Sequence, residues 1–507
     1  MNLFRAATTV GGYTALSRIL GLVREILMSH ILGAGMIADA FIVAFKFPNF
    51  FRRFFAEGAF NAAFVPQFAG CLTTKGPAPA KTLATDVFSV MAWFLFFFVV
   101  FVLVFTPQLM PVLAPGFATT PERLDLAIKF TRITFPYILF ISLSALLAGI
   151  LNSLDRFAAA AAAPILLNIT MIIGLLLTPN LSLEPGIILS GAVFVAGILQ
   201  PSWLYYFCKR ADFALSLKWP SLSPDVRRVI RLMIPGMIGA GVMQINIMVD
   251  TIFASFLTTG SVSYLYYADR LNQLPLSIFG VAIGTALLPP LSRYWRQKDF
   301  EKARETQSMA LEFAMKFTVP AALGLIVLSD PLIHLIYGHG QFTAMDVANT
   351  SPTLAAYAIG LPAYVAGKVF STTFFAMEDT VTPVKAALVS VLCNLVLNFI
   401  LMRYWAHVGL ALATSISAWI NVVLLAGFLR HRQQFSFNKI LLLSLLKILF
   451  VSCTMATFVW YLQNNFMPKD GSVFLEVISV LGFVSAGGAF YLGLGRMMGV
   501  NLLKRIH

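Results

Sequence analysis

The sequence predicts an all-α, polytopic membrane protein with about fourteen transmembrane helices: two pseudo-repeated six-helix lobes followed by two further helices. Three observations lead to this fold class, namely the hydropathy, the spacing of apolar stretches and an internal repeat. Of 507 residues, 59% are hydrophobic and 11% are charged, and the mean hydropathy is +0.82. A soluble fold of this length cannot hide so much apolar surface, so a soluble enzyme is excluded.

Apolar stretches of about 20 residues, the length that crosses a bilayer as a helix, mark the predicted spans. Basic loop residues crowd the side of the termini, as at Arg227, Arg228 and Arg231. The opposite loops hold Arg123, Arg403 and Lys469. By the positive-inside rule both termini are cytoplasmic, and this bias explains much of the net charge of +14 without nucleic acid as a partner. The spans are centred near residues 20, 50, 97, 140, 168, 196, 244, 277, 318, 363, 392, 418, 450 and 485.

An internal repeat divides the chain. The stretch LAPGFATTPERLDLAIKFTRITFPYILF matches IYGHGQFTAMDVANTSPTLAAYAIGLPAYV, with Phe117 opposite Phe342. A second match sets the turn at Gly35 opposite that at Gly260, and both pairs are 225 residues apart. Chance recurrence of Gly/Pro turns is the alternative. Duplication predicts parallel lobes with the substrate path between them. The predicted parts are 1-210 (helices one to six), 222-432 (seven to twelve) and 438-499 (thirteen and fourteen).

Charged side chains inside the apolar stretches point to a function. A charge near a helix centre costs about 2.5–3.5 kcal/mol on insertion scales, so it must face water, a partner or an anion. Some of these residues lie near helix ends, where a long stem reaches the headgroups. Four others are farther from the predicted helix ends and predict a cationic cavity: Arg18, Arg24, Arg270 and Lys368. The twelve basic residues are Arg18, Arg24, Lys46, Arg52, Arg53, Lys129, Arg132, Arg270, Lys316, Lys368, Lys385 and Lys447.

Arginine at such positions favours an oxyanion, because its planar fork donates two parallel hydrogen bonds to phosphate or carboxylate. Arg18 and Arg24 lie about 120° apart on an ideal helix, so a bend or a broad cavity is needed for both to reach one ligand. Pro48 is expected to kink the second helix. Either Arg52 or Arg53 then faces the cavity, and the helical period leaves both open.

A second group of polar residues could bind a hard cation such as Na⁺, which prefers oxygen ligands. Asp250 stands in the otherwise neutral helix QINIMVDTIFASFL, Asn394 and Asn398 share a helix face, and Thr414 is on the next helix. Polar bonding between helices is the alternative, which leaves Asp250 unexplained. No nucleotide-hydrolysing motif is present, since Pro362 and Val369 break the Walker A pattern around Lys368. The chain therefore reads as a transporter, driven by an ion gradient or the membrane potential.

Four motifs carry a family resemblance: SRILGLVRE (17–25), GAGMIADAFIVAFKFPNFFRRFFAEGAFNAAFVP (33–66), TIFASFL (251–257) and YYADRLNQLP (266–275). Over its whole length the chain resembles the MurJ (MviN) lipid II flippases of the multidrug/oligosaccharidyl-lipid/polysaccharide exporter superfamily. The resemblance implies two lobes in a V shape, a cationic cavity, and a groove on the last two helices for the undecaprenyl tail. It implies transport of lipid II, the lipid-linked peptidoglycan precursor, to the periplasmic leaflet of the bacterial inner membrane. Membrane lipids and cell-wall synthesis proteins are the further candidate partners.

The resemblance also implies site residues. The family's cavity positions match Arg18, Arg24, Asp39, Arg52 and Arg270, with Glu57, Asp269 and Lys368 in support. A sodium site of some members maps onto Asp250, Asn394, Asn398, the carbonyl of Leu410, and Thr414; Asn398 stands where such members can have Asp, so one charge is missing. The alternatives are a flippase for another polyprenyl-diphosphate glycan, a multidrug exporter, for which the arginine surplus is unfavourable, and a non-transporting scaffold.

Overall fold

The structure is a computed structural model that describes residues 3–56, 58–468 and 472–500; of 3–7, 59, 238–240, 242, 243, 245 and 278–286 it describes the backbone alone. The regular elements in this part of the chain are helices. They are α1 (Leu3–Leu32), α2 (Met36–Phe55), α3 (Ala59–Lys75), α4 (Pro77–Leu113), α5 (Pro121–Thr134), α6 (Tyr137–Ser153), α7 (Phe157–Leu177), α8 (Pro185–Lys209), α9 (Pro224–Ser255), α10 (Ser261–Arg296), α11 (Phe300–Val327), α12 (Ser329–Tyr337), α13 (Ala344–Ala358), α14 (Leu361–Ala376), α15 (Val381–His431), α16 (Lys439–Phe466) and α17 (Val473–Met497).

The helices form two compact units, Met1–Val262 and Ser263–His507. Helix α9 belongs to the first unit, where it packs against α2, α3 and α4. The sequence repeat placed this helix at the start of the second lobe. The two divisions differ because a repeat is defined by duplicated sequence and a compact unit by side-chain packing. The lobe boundaries at 210 and 222 therefore stay a prediction.

Nine spans among the described residues are long and apolar enough to cross a membrane. One of them, α15, is two helices that fold back at Trp405 and Ala406, where the backbone is not helical. Four further long helices, α1, α2, α9 and α10, are not among the nine. Helices α1, α2 and α10 carry the four predicted site arginines, and the charged side chains of α1 and α2 interrupt the apolar stretches of these two helices. Together these helices agree with the predicted number of about fourteen crossings.

A clasp at the ends of α15 shows that its halves run antiparallel. The Asp379 carboxylate accepts hydrogen bonds from the Thr382 amide (2.9 Å), the Thr382 hydroxyl (2.7 Å) and Nη1 of Arg432 (2.7 Å). Burial raises the pKa of Asp379, but the hydrogen bonds from Thr382 and the guanidinium of Arg432 lower it by more, so the pKa lies below its usual range. The clasp thus depends on an ionised carboxylate.

The first prediction concerns this clasp. Asp379→Ala is expected to cost about 1–2 kcal/mol of stability at pH 7, because a partly exposed Arg432 loses its partner. The folded-state pKa is depressed, so this stability is present above pH 3.8, the ordinary value, and is lost as pH falls toward the folded pKa. In detergent, the difference in unfolding temperature between wild type and Asp379→Ala should become smaller below about pH 4. The control is Glu378→Gln at the exposed neighbouring residue. A difference in unfolding temperature between wild type and Asp379→Ala that does not change with pH would contradict the prediction.

Each unit contains a helix that breaks and restarts after a Gly/Phe loop: α5 stops at Phe135 before α6, and α13 stops at Ile359 before α14. A polar pair occupies equivalent positions beside each break. Asp39, fourth in α2, pairs with Arg123, third in α5. Tyr264, fourth in α10, donates to the carboxylate of Asp346, third in α13 (2.9 Å). The two pairs have equivalent positions and different chemistry.

The last two helices are fixed to α11 in the second unit. Ser444 of α16 donates to Glu312 (2.8 Å), which pairs with Lys316 at 2.8 Å. Pro320 lacks the N–H that would bind the carbonyl of Lys316, and the hydroxyl of Tyr491 in α17 donates to that carbonyl instead (2.8 Å). A backbone group freed by proline thereby becomes a contact point between helices.

Candidate functional site

Arg24 lies at the centre of a polar cluster between α1 and α7, and its side chain is 13% exposed. Its Nη1 donates to Oδ1 of Asn168 at 3.0 Å, and its Nη2 forms an ion pair with the buried Glu25. Nδ2 of Asn168 donates in turn to the carbonyl of Ser17 at 2.9 Å. The guanidinium is therefore held from two sides inside the helix packing.

The register of α1 explains this cluster. Ser17, Gly21 and Arg24 share one helix face because they are four and then three residues apart. A Cβ at Gly21 would lie 3.9 Å from the amide of Asn168, so the face is open enough for α7 to approach. Helix α1 is a single helix from Leu3 to Leu32, and Arg18 is exposed whereas Arg24 is half-buried. The two arginines have different surroundings, and the bend or broad cavity that would let both reach one ligand stays a prediction.

Asn168 is the functional candidate that sequence reasoning missed. It sits in FAAAAAAPILLNITMIIGLLL, a helix without charge, and a lone Asn there reads as ordinary polar bonding between helices. Two weak features of the sequence distinguished Asn168 from an ordinary polar residue. It is the one side-chain amide of α7, and α1 offers Arg24 no acidic partner other than its neighbour Glu25. Because Asn168 contacts the Arg24 guanidinium, it is a candidate positioning residue.

The second prediction tests this role. Asn168→Ala should lower flipping activity by about tenfold, the equivalent of one hydrogen bond to a charged group, because Arg24 loses its orienting partner. Asn168→Gln should retain part of the activity, and Gly21→Ala, which adds one methyl at ordinary contact distance, should be neutral. The measurement is a lipid II flipping assay in proteoliposomes with protein levels matched. Equal activity of wild type and Asn168→Ala would exclude the positioning role.

Asp39 and Arg123 form a fully buried ion pair. Nη2 of Arg123 lies 2.5 Å from Oδ2 of Asp39, and the side chains are 3% and 0% exposed. The amide of Gly260 donates to the same oxygen at 2.7 Å, and the Arg123 guanidinium lies 3.9 Å from the centre of the Phe117 ring. Asp39 was predicted at the substrate; its carboxylate is occupied here by groups of the protein.

Two further polar groups of α2, the carbonyl of Ala44 and the side chain of Lys46, bond to neighbouring helices. Pro48 leaves the carbonyl of Ala44 without its helical donor, and the Thr134 hydroxyl of α5 donates to it at 3.2 Å, while α2 continues to Phe55. Lys46 donates to the Thr251 hydroxyl of α9 at 3.3 Å. Asp39 and Lys46 thus bond to side chains of α5 and α9, respectively.

Arg52 and Arg53 differ in burial. Arg52 is half-buried and has an interaction partner, whereas Arg53 is exposed. This supports Arg52 as the site candidate of that pair. The supporting candidate Glu57 lies outside the described residues.

The second unit presents its own candidates. The guanidinium of Arg270 lies 4.7 Å from the centre of the Tyr266 ring on the preceding turn of α10, an arrangement that orients the planar fork. Asp269 accepts a hydrogen bond from Gln273, one turn later. Lys368 on α14 is exposed. These three side chains therefore have distinct surroundings within the unit.

The predicted sodium ligands of the second unit lie together where the halves of α15 pack. Nδ2 of Asn398 donates to Oδ1 of Asn394 (3.0 Å), and Nδ2 of Asn394 is 3.5 Å from the Thr414 hydroxyl. That hydroxyl donates to the Leu410 carbonyl at 2.9 Å. These neutral oxygens suit Na⁺ by type, although their mutual hydrogen bonds also join the two half-helices. Asp250, in the first unit, has an interaction partner of its own, so its supposed isolation was wrong.

The side chains of the Arg24 cluster are suited by type to binding an anion. Within the described residues, no group of three His, Cys, Asp or Glu side chains could hold a metal ion. The first unit contains a fixed guanidinium, Arg24, with further arginines on α1 and α2. An orienting amide and carboxylate set the direction of the fork, which is what recognition of a phosphate requires.

Comparison with known proteins decides the family. Residues 28–482 match the family model described as "Lipid II flippase MurJ". The chain belongs to the lipid II flippase MurJ family. It is 39% identical to the "Probable lipid II flippase MurJ" of Rhizobium tropici, covering 96% of this chain and 92% of that protein. It is 35% identical to the protein of the same name from Rickettsia prowazekii (strain Madrid E), covering 99% and 98%.

Solved structures agree with this family and place it in a wider fold. A lipid II flippase MurJ in an inward closed conformation is similar with a TM-score of 0.80 at 30% identity, covering 96% of this chain and 99% of that one. An inward-facing multidrug resistance MATE transporter of the MOP superfamily is similar with a TM-score of 0.69 at 15% identity, covering 84% and 98%. The second likeness shows a shared fold. The all-α, multi-pass membrane architecture is thereby confirmed.

Proposed function

We propose that this family member moves lipid II from the cytoplasmic to the periplasmic leaflet of the bacterial inner membrane, with both termini in the cytoplasm. The observation that carries the proposal is the Arg24 cluster: a guanidinium fixed by Asn168 and Glu25 within membrane helices. The names of the relatives support lipid II as the substrate.

In the proposed mechanism the guanidinium of Arg24 donates to the diphosphate of lipid II, with Arg18 and Arg52 of the same unit as further donors. Neutralising a diphosphate lowers the cost of carrying it through the low-dielectric part of the membrane. Arg270 offers the same chemistry in the second unit. The undecaprenyl tail stays in lipid, along the two C-terminal helices.

The proposed energy source is the membrane potential or an ion gradient, acting by alternating access without ATP hydrolysis. Na⁺ is the candidate coupling ion, with Asn394, Asn398, Thr414 and the Leu410 carbonyl as ligands and Asp250 as the charged member of the predicted set. If this holds, Na⁺ but not K⁺ raises the unfolding temperature, and Asp250→Ala removes the difference. Equal unfolding temperatures in both salts would reject the ion and leave flipping itself untouched.

Rescue of depleted cells tests the function directly. Cells that lack their own lipid II flippase are expected to grow when this chain is expressed, and lipid II should not accumulate in the inner leaflet. A flippase for another polyprenyl-diphosphate glycan, or a multidrug exporter, would be produced at the same level and fail to rescue. That failure, with the protein present in the membrane, would overturn the proposal.

A further inference from the structure

The segment between α8 and α9, residues 211–223, is an extended linker that is tied to the first unit by its backbone. The hydroxyl of Tyr205 donates to the carbonyl of Leu215 at 3.1 Å. The amide of Lys218 donates to the Ser89 hydroxyl at 3.0 Å, and Nε1 of Trp93 donates to the Lys218 carbonyl at 3.0 Å. Both backbone groups of Lys218 are hydrogen-bonded to side chains of α4. The side chains of Lys218 and Trp219 are exposed.

The apolar side chains of the linker form a buried group and an exposed group. Phe213 and Leu215 are buried in the core of the unit, next to Phe68 and Cys208. Farther along, Trp219 is 79% exposed, and Leu217 and Leu222 are exposed as well. The Trp219 ring packs on Trp93 with ring centres 5.3 Å apart, and Trp93 in turn contacts the exposed Phe96 and Phe97. The linker and α4 thus present one continuous aromatic surface.

The depth of this surface follows from the sequence of α4. The last charge of α4 is Asp86, and residues 87–113 are uncharged, so Ser89 and Trp93 lie in the first two turns of its apolar part. Tryptophan at this depth is typical of the boundary between hydrocarbon and headgroups. The exposed face of the linker therefore meets the headgroup layer.

The charge around this surface is mainly positive. Residues 209–231 contain six basic and two acidic side chains. The basic ones are all exposed: Lys209, Arg210, Lys218, Arg227, Arg228 and Arg231. Nε of Arg227 donates to the Leu222 carbonyl at 3.0 Å, which fixes that arginine beside the end of the linker. Basic side chains beside a membrane surface attract anionic lipids.

We propose that the linker is a binding surface for anionic phospholipids: Trp219 sits among the headgroups, and Lys218, Arg227 and Arg228 bind lipid phosphates. Charge complementarity with an aromatic anchor at headgroup depth selects this occupant. The function would be to hold the connection between α8 and α9 at the membrane surface. The inference rests on membrane insertion alone and is independent of lipid II transport.

The test uses the full-length protein in vesicles that contain equal fractions of brominated phosphatidylglycerol or brominated phosphatidylcholine, both of which quench tryptophan. The protein has seven tryptophans, so the Trp219 signal is the difference between wild type and Trp219→Phe. We expect this signal to be quenched at least about twofold more by the anionic lipid, and the excess to vanish in Lys218→Gln/Arg227→Gln/Arg228→Gln and in 1 M salt.

The matched control is Trp460, which is 55% exposed on α16 and has no such basic cluster in its sequence neighbourhood. Its signal, from Trp460→Phe, should respond equally to both lipids. The triple variant alters exposed side chains, and an unchanged unfolding temperature establishes that it is folded. Equal quenching of Trp219 by both lipids would overturn the anionic preference, and absence of quenching would overturn membrane contact. Flipping of lipid II by the same vesicles reports separately on the proposed function.

Discussion

Replacing Arg24 by Ala is expected to abolish rescue of flippase-depleted cells and to leave lipid II in the inner leaflet. Two charged hydrogen bonds to a diphosphate are worth about 1.5–3 kcal/mol each, so their loss corresponds to about 100-fold or more in binding. Arg24→Lys should fail almost as fully. A lysine ammonium carries the charge but cannot reproduce the fork that meets Asn168 on one side and Glu25 on the other.

The matched control for Arg24 is Arg53→Ala, since Arg53 lies among the same charged helices but is exposed. It should support growth and flipping at the wild-type level. Lipid II binding to purified variants, by displacement of a fluorescent analogue, separates a binding defect from poor folding. If Arg24→Lys flipped at the wild-type rate, a fixed bidentate fork would not be the basis of recognition.

Breaking the Asp39–Arg123 pair is expected to produce the largest loss of stability in the first unit. Removing one partner of a buried pair leaves an uncompensated charge and costs about 3–5 kcal/mol. Asp39→Ala and Arg123→Ala should each show this loss in unfolding of the detergent-solubilised protein. The double variant Asp39→Leu/Arg123→Met should recover part of it, because no charge then remains buried.

The same variants separate a structural from a substrate-binding role of Asp39. If the pair is a structural element, Arg123→Ala and Asp39→Ala should impair flipping to the same extent. Lipid II binding by the folded fraction should then be unchanged in both variants. A carboxylate that contacts the headgroup predicts a different pattern, in which Asp39→Asn weakens lipid II binding while Arg123→Met does not. That second pattern would contradict the structural role.

Local sequence was sufficient to recognise the helices and the anomalous charges. A span of about 20 apolar residues is a local property, and so is an arginine inside it. Each of the fourteen predicted centres falls within a helix, including the two centres in α15, which the break at Trp405 and Ala406 separates. The motifs around Arg24 and Arg270 were also sufficient for the family.

Side-chain partners were beyond local sequence. Asn168 lies 144 residues from Arg24, and Arg123 lies 84 residues from Asp39, so no helical period links them. Arg123 was assigned to a solvent loop on the strength of its neighbours in sequence, and the structure buries it against Asp39. That assignment was wrong because burial depends on which helices pack together.

The sequence by itself determined that this is a multi-pass membrane protein of the lipid II flippase family with arginines inside its spans, since hydropathy and motif identity are carried by neighbouring residues. Tertiary structure alone decided which groups of the protein these charges contact and how deeply each one is buried. Asp39 is committed to Arg123, Arg52 is half-buried where Arg53 is exposed, and Arg24 is oriented by an asparagine from another helix. The physical reason is that a charge in a membrane acquires its role from what it touches, and in a helical bundle those contacts are made between distant parts of the chain.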